Sequence, residues 1–258
     1  MTHRIVQLTD CHLFSDPAKT LRDIATWPRF TEVLEKVRRQ VPDVDQLVLT
    51  GDTAHDEDLA TYDAVRKELA DWEGRVRIIP GNHDNRAALR TVFPDASCGP
   101  IDLVTFQVSW DDWQIIGLDS QQPGELPGSL GEEQLTWLRN LLQSAPERHT
   151  LLFLHHPPIT VQSPWLDRIR LLDSTDLERL VSDHPQVVLI GCGHVHQEVV
   201  GSLGRATVLT TPSVGHPFRP RTEHIEIDSV GPAYRLWELF PDGRWSTQVM
   251  YCMSPVMK

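Results

Sequence analysis

Five short apolar runs in this chain each end in side chains able to ligate a metal ion. "RIVQL" is followed by Thr9 and then Asp10-Cys11-His12, and "QLVLT" by Gly51-Asp52. "RVRIIP" gives way to Gly81-Asn82-His83-Asp84, and "TLLFL" to His155-His156-Pro157. "QVVLI" runs into Gly191-Cys192-Gly193-His194-Val195-His196. One Asp or His at a strand end is ordinarily a turn or capping residue. Five such ends brought together would aim two carboxylates, one amide and at least four imidazoles into a single crevice. Neutral imidazole and carboxylate suit Fe, Mn, Zn or Co, and seven donors exceed what one tetrahedral zinc needs, so they suffice for two ions sharing a carboxylate. The i, i+2 spacing of Asp10 with His12, and of His194 with His196, can aim both side chains of a pair at one pocket on an extended or turning backbone.

The elements that must position these groups alternate in kind. Between the strand-like runs lie "RFTEVLEKVRRQ", "LATYDAVRKELADW", "EEQLTWLRNLL" and "DLERLVSD", with apolar residues at three- and four-residue intervals, as amphipathic helices require. Ser129 with Glu132, and Thr175 with Glu178, have the spacing of capping boxes. "LVTFQVSWDDWQIIGLD" reads as a hairpin turning at Asp111-Asp112. From "ATVLTTPS" onward, "EHIEID", "YRLWELF" and "WSTQVMY" read as further strands, with a turn at "PDGR". Strands flanked by helices early and hairpins late predict an α/β chain with two sheets face to face and helices outside. No linker, repeat or low-complexity stretch divides it, so residues 1–258 are expected to form one domain. In open α/β sheets, ligands bind beyond the carboxyl ends of the strands, where these donors fall.

At 258 residues the chain is long enough for a substantial core, and 40% hydrophobic with 23% charged residues is ordinary for a globular protein. A formal charge of −12 argues against a nucleic-acid polymer as partner, though bound metal can reverse the local field for a small anion. The four cysteines Cys11, Cys98, Cys192 and Cys252 lack CxxC spacing and suggest a reduced, cytoplasmic setting. "MTHRIVQLTD" has none of the marks of a signal peptide, and no run approaches the length of a membrane helix.

Taken in order, D-x-H, G-D, G-N-H-D, H-H and G-H-x-H resemble the motif set of the calcineurin-like dinuclear metallophosphoesterases. "LDSQQPGELPGSLGEEQLTWL", "APERHTLLFLHHPP", "GHVHQE" and "TPS" ahead of "FRP" look more particularly like the bacterial class III 3',5'-cyclic-AMP phosphodiesterases. The resemblance implies a double β-sandwich of two mixed sheets flanked by helices, a four-layer α/β/β/α fold. It implies that Asp10, His12, Asp52 and His196 hold one ion, and that Asp52, Asn82, His155 and His194 hold a second, with Asp52 bridging. Fe and Mn are the expected metals, with Zn or Co as alternatives. "GDTAHD" at 51–56 departs from the family's frequent aliphatic pair followed by a carboxylate or amide.

The chemistry that follows is hydrolysis of 3',5'-cyclic AMP to 5'-AMP by a bridging hydroxide. Two divalent ions, two carboxylates and the hydroxide leave a site near +1, able to take an anionic diester. His12, Asp52, Asn82, His83, His155 and His194 are expected around the substrate, with His83 protonating the leaving 3'-oxygen and Asp84 orienting the His83 ring. The partner is thus a small cyclic nucleotide, without nucleic-acid polymer or membrane, and a homodimer is compatible. His156 is expected to turn away from the site, and His55 to lie behind a ligand or at the surface. His216 is undecided, and Arg219 and Arg221 read as solvated charges sooner than phosphate contacts. Cys11 and Cys192 are simplest as small buried residues. Competing readings are a phosphodiesterase for 2',3'-cyclic nucleotides or glycerophosphodiesters, a non-catalytic metal-stabilised scaffold, and a protein phosphatase.

Overall fold

The computed structural model describes residues 1–96, 99–100 and 102–252. Two mixed sheets stack face to face. The first has five strands in the order β13-β12-β1-β4-β5: β1 (His3–Leu8), β4 (Gln46–Thr50), β5 (Val76–Ile79), β12 (Ala233–Leu239) and β13 (Trp245–Tyr251). The second has six in the order β10-β11-β9-β8-β7-β6: β6 (Phe106–Ser109), β7 (Trp113–Leu118), β8 (His149–Leu154), β9 (Val187–Cys192), β10 (Val200–Leu203) and β11 (Ala206–Thr210). A small hairpin, β2 (Thr20–Leu21) with β3 (Ile24–Ala25), precedes the first helix. In one sheet β1, β4 and β5 run parallel, and in the other β7, β8, β9 and β11 do, so the donor-bearing strand ends emerge at a common rim.

Strand alternation explains the layers. In β1, Ile5 points between the sheets, where it meets Val48, Ile79, Phe153, Leu189 and Trp237. Val6 and Leu8 point the other way, into a core shared with α1 (Thr26–Gln40), α2 (Leu59–Glu68) and α3 (Arg86–Val92). On the far side, Ile116, Leu118, Leu152 and Ile190 meet α4 (Gly131–Ser144) and α6 (Ser174–Asp183). Helices on the outer faces bury both faces of the central strands, which is why those strands read as unbroken apolar runs, whereas the edge strand β13 alternates with exposed positions. The observed order is the expected α/β/β/α.

Burial outweighs local capping in the helices. Helix α1 has no side-chain cap, but Phe30, Val33, Leu34 and Val37 are fully buried. Each such side chain contributes about 1.5–3 kcal/mol as an upper estimate, against about 1 kcal/mol for a cap.

Two local expectations are corrected. Neither proposed capping box forms: α4 and α6 lack side-chain caps on their own N-cap residues. The Asp173 carboxylate instead accepts from the amides of Leu130 and Gly131 and from the Ser129 hydroxyl, capping α4 from 42 residues away. "EHIEID" is not a strand either; only Ile227 pairs, in a single bridge with Phe218. The turns at Asp111-Asp112 and "PDGR" form as expected. Among the described residues no helix is long and apolar enough to cross a membrane.

Candidate metal centre

The five strand ends converge. Asp10, His12, Asp52 and His196 place one ligand atom each within 4.8 Å of one another, all buried. Asp52 Oδ2 lies 3.5 Å from His12 Nε2 and also 3.5 Å from His155 Nε2. His155 Nε2 in turn lies 3.3 Å from His194 Nδ1. One carboxylate oxygen thus stands between two groups of imidazoles. Asn82 and His83 are half-buried and open onto the same cavity, of about 290 Å³. Larger concavities of about 480 and 950 Å³ lie elsewhere on the surface.

The backbone is bent to this purpose. Asp10, His12, Asp52, His194 and His196 all have positive φ, between 48° and 69°. That left-handed region is uncommon for residues with a side chain, and a cluster of such torsions marks a functional site. Gly81 lets the loop after β5 lie directly against the loop after β4: a Cβ on it would stand 2.1 Å from Asp52 Oδ1.

The tautomers test whether the donors fit metal ions. His155 Nδ1 faces the Thr50 carbonyl at 2.8 Å, and His196 Nδ1 faces the His216 carbonyl at 2.5 Å. A carbonyl only accepts, so both Nδ1 atoms carry hydrogen and both neutral rings present an Nε2 lone pair inward. Those lone pairs face carboxylate oxygens and, at His196, the Nε2 of His12 at 3.3 Å. Facing acceptors repel unless a cation lies between them. Without one, burial alone would lower the His155 pKa, but Asp52 overrides it and holds the ring up at about 9. Burial likewise works to raise the Asp52 pKa, and His155, then His12 and His83, bring it well below the ordinary carboxylate range. Asn82 Oδ1 and His194 Nε2 are buried without any hydrogen-bond partner. Two carboxylates, orphaned polar atoms and inward lone pairs with fixed outer nitrogens fit hard or borderline divalent ions.

The structure also re-assigns several neighbours. Asp84 does not orient the His83 ring. Its buried carboxylate accepts from the amides of Thr53, Ala54 and Gly81 and from the Tyr62 hydroxyl. It ties the loop after β5 to the loop after β4, and burial, then Asp52, raises its pKa to about 6. The His83 amide donates to Asp52 Oδ1 at 2.8 Å, which pins that loop to the shared carboxylate. His156 sits near His155 and His194, but both of its nitrogens are engaged, Nδ1 with Ser120 Oγ and Nε2 with the Leu126 carbonyl. It supports the loop rather than the ions. His55 stands behind His12, the two Nδ1 atoms 3.1 Å apart. His216 is buried against His12 and His196.

Arg219 pairs with Glu226 at the surface, and Arg221 lies in a separate concavity. Burial raises the pKa of both the Cys11 and Cys192 thiols, so they stay protonated and are poor ligands. Cys98 lies outside the described residues. Leu21 and Arg22, on the β2–β3 hairpin, reach the cavity and escaped the sequence reading. A two-residue turn without glycine or asparagine gives almost no local signal.

Comparison with known proteins bears on the same residues. The model of the calcineurin-like phosphoesterase family matches residues 3–198. A protein of Escherichia coli (strain K12) named 3',5'-cyclic adenosine monophosphate phosphodiesterase CpdA is 37% identical over 246 residues, covering 95% of this chain and 88% of that one. One of Nostoc sp., named a 3',5'-cyclic-nucleotide phosphodiesterase, is 31% identical over 95% of this chain and 91% of its own length. Among solved structures, a dimetal phosphatase from Danio rerio superposes with a TM-score of 0.67 at 17% identity, covering 92% of this chain and 95% of that one. A purple acid phosphatase from yellow lupin gives 0.68 at 11% identity, covering 100% of this chain and 57% of that one.

Proposed function

The chain belongs to the calcineurin-like phosphoesterase family, and from that premise we propose that it hydrolyses 3',5'-cyclic AMP to 5'-AMP at a dinuclear metal centre. The observation that carries the reading is Asp52 Oδ2 standing 3.5 Å from an imidazole of each ligand group. Asp10, His12, Asp52 and His196 would hold one ion; Asp52, Asn82, His155 and His194 would hold the other. Bound ions, Fe or Mn before Zn or Co, would supply Lewis acidity and water activated near neutral pH.

The chain's own groups do the rest. Thr50 and His216 carbonyls fix the His155 and His196 rings with their inner nitrogens free. Asn82 offers an amide oxygen with no other partner. His83 opens onto the cavity, its ring centroid 5.2 Å from that of His12, and is assigned to the leaving group. Water adds across the P–O3' bond: its oxygen would join phosphorus as that bond breaks, His83 would give its proton to the departing 3'-oxygen, and the proton shed by the water would restore His83 through solvent. The cyclic-nucleotide names of relatives spanning 95% of the chain support this substrate.

The test is product analysis with purified, metal-loaded protein. Cyclic AMP should yield 5'-AMP at a kcat/KM above that for 2',3'-cyclic nucleotides and glycerophosphodiesters. Background turnover of cyclic AMP beside brisk cleavage of those diesters would replace the substrate assignment, and no turnover of any would leave a metal-stabilised scaffold.

A further inference from the structure

The cavity over the ligand cluster is polar at its floor and apolar at its mouth. Leu126 reaches it from the connection between β7 and α4, and Trp165 from the short helix α5 (Pro164–Asp167). Phe218 and Ile225 reach it from the long connection between β11 and β12. Leu126 and Ile225 are 54% and 43% exposed, so the fold leaves two large apolar side chains in water at one opening. Scattered exposed apolar residues need no explanation, but their convergence on the rim of one cavity marks a binding surface. Trp165 meets Phe218 edge-on at 5.0 Å, and Phe218 stacks on the His196 ring at 4.1 Å and 14°. The apolar wall is therefore continuous with a proposed ligand. The Leu126 carbonyl is held by His156, beside His155, which fixes Leu126 on the rim.

A single cation completes the mouth. Arg22 and Asp23 form the tip of the β2–β3 hairpin with φ of 51° and 64°. Such turns favour Asn-Gly, so a long basic side chain is held there against the usual preference. Among the described residues, Arg22 has no ion-pair or hydrogen-bond partner, and it lines the cavity.

We propose that this mouth is the nucleobase subsite of the enzyme, with Leu126, Trp165, Phe218 and Ile225 taking the flat heterocycle and Arg22 meeting the phosphate from the open side. The inference rests on the phosphodiesterase reading and adds the source of selectivity for a nucleotide over a smaller diester. A π-faced, weakly polar base suits aromatic and aliphatic walls, whereas the floor beneath suits the anion.

The experiment uses metal-loaded, full-length protein and two half-ligands: adenosine, a base without phosphate, and inorganic phosphate. Leu126→Ser with Ile225→Ser alters exposed residues only, so folding is kept. That double variant should raise the KM for cyclic AMP and the Ki of adenosine about tenfold, the scale of one or two lost apolar contacts. The loss should appear in KM rather than kcat, with the phosphate Ki unmoved. Arg22→Gln should show the reverse signature, a raised phosphate Ki with an unchanged adenosine Ki. An adenosine Ki unchanged in the double variant overturns the subsite while cyclic AMP turnover by the parent protein keeps the phosphodiesterase reading. Should the parent fail on cyclic AMP, that reading falls, and adenosine competition against a chromogenic diester still judges the subsite.

Discussion

His12 and His55 face each other through their Nδ1 atoms at 3.1 Å, while His12 Nε2 points inward to Asp52 and His196. Only one of two facing Nδ1 atoms can carry the hydrogen. For His12 to offer its Nε2 lone pair to an ion, the hydrogen sits on His12 Nδ1 and His55 accepts it. Outer partners of this kind are typically worth about 10–100-fold in metal affinity. His55→Leu should weaken metal binding by that factor in calorimetric titration, whereas His55→Asn, which keeps an acceptor at the Nδ1 position, should stay within a few-fold. Equal affinity in the leucine variant would reduce His55 to packing.

Replacement of His83 separates proton delivery from metal holding. His83→Ala should retain two ions by elemental analysis and lose about 10²–10⁴ in kcat on cyclic AMP, whose alkoxide leaving group needs a proton. On a p-nitrophenyl diester, with a stable leaving anion, the loss should be much smaller. A uniform loss on both substrates would take His83 out of the acid role.

Asp84 predicts a different pattern. Asp84→Ala strips three backbone amides and the Tyr62 hydroxyl of their acceptor at a buried position. Urea denaturation should show about 2–4 kcal/mol lost stability. Turnover should fall because the Asn82-His83 loop loosens, with both limbs of the pH–rate profile in place. A shifted limb would return Asp84 to proton transfer.

His156 makes stability acid-sensitive. Burial, then the neighbouring charge of His155, lowers its pKa from 6.5 to about 3. The unfolded chain takes up a proton near the ordinary value and the folded one does not. The contribution is therefore complete above about pH 6.5 and is lost progressively as pH falls toward 3. Metal-free protein should lose about 1 kcal/mol from this residue between pH 6.5 and 5.5. His156→Gln should flatten that slope, and an undiminished slope would place the sensitivity elsewhere.

What could be read in the sequence was what is local. Each donor-bearing end combines an apolar run, a turn residue and a ligand within about ten positions, so Asp10, Asp52, Asn82, His155 and His194 are legible from sequence alone. The double sandwich followed from where helices stop separating the strands. The tie made by Asp84 is not legible in the sequence because Thr53, Ala54 and Tyr62 lie 22–31 positions away from it. Asp173 caps a helix that begins 42 positions earlier, and spacing within a helix cannot disclose that. "EHIEID" alternates as a strand does, yet among the described residues only its Ile227 bridges, to Phe218. Leu126, Trp165, Phe218 and Ile225 share a rim only through the fold.

The left-handed torsions at five of the seven proposed donors bear on how such a centre comes into being. A free peptide seldom visits them, so a nascent chain offers ions no template, and the vessel is finished by the closing of the sheets around it. Ions would then bind the closed fold and not the free peptide, so a greater supply of metal should raise the share of chains held closed as well as the share that are filled.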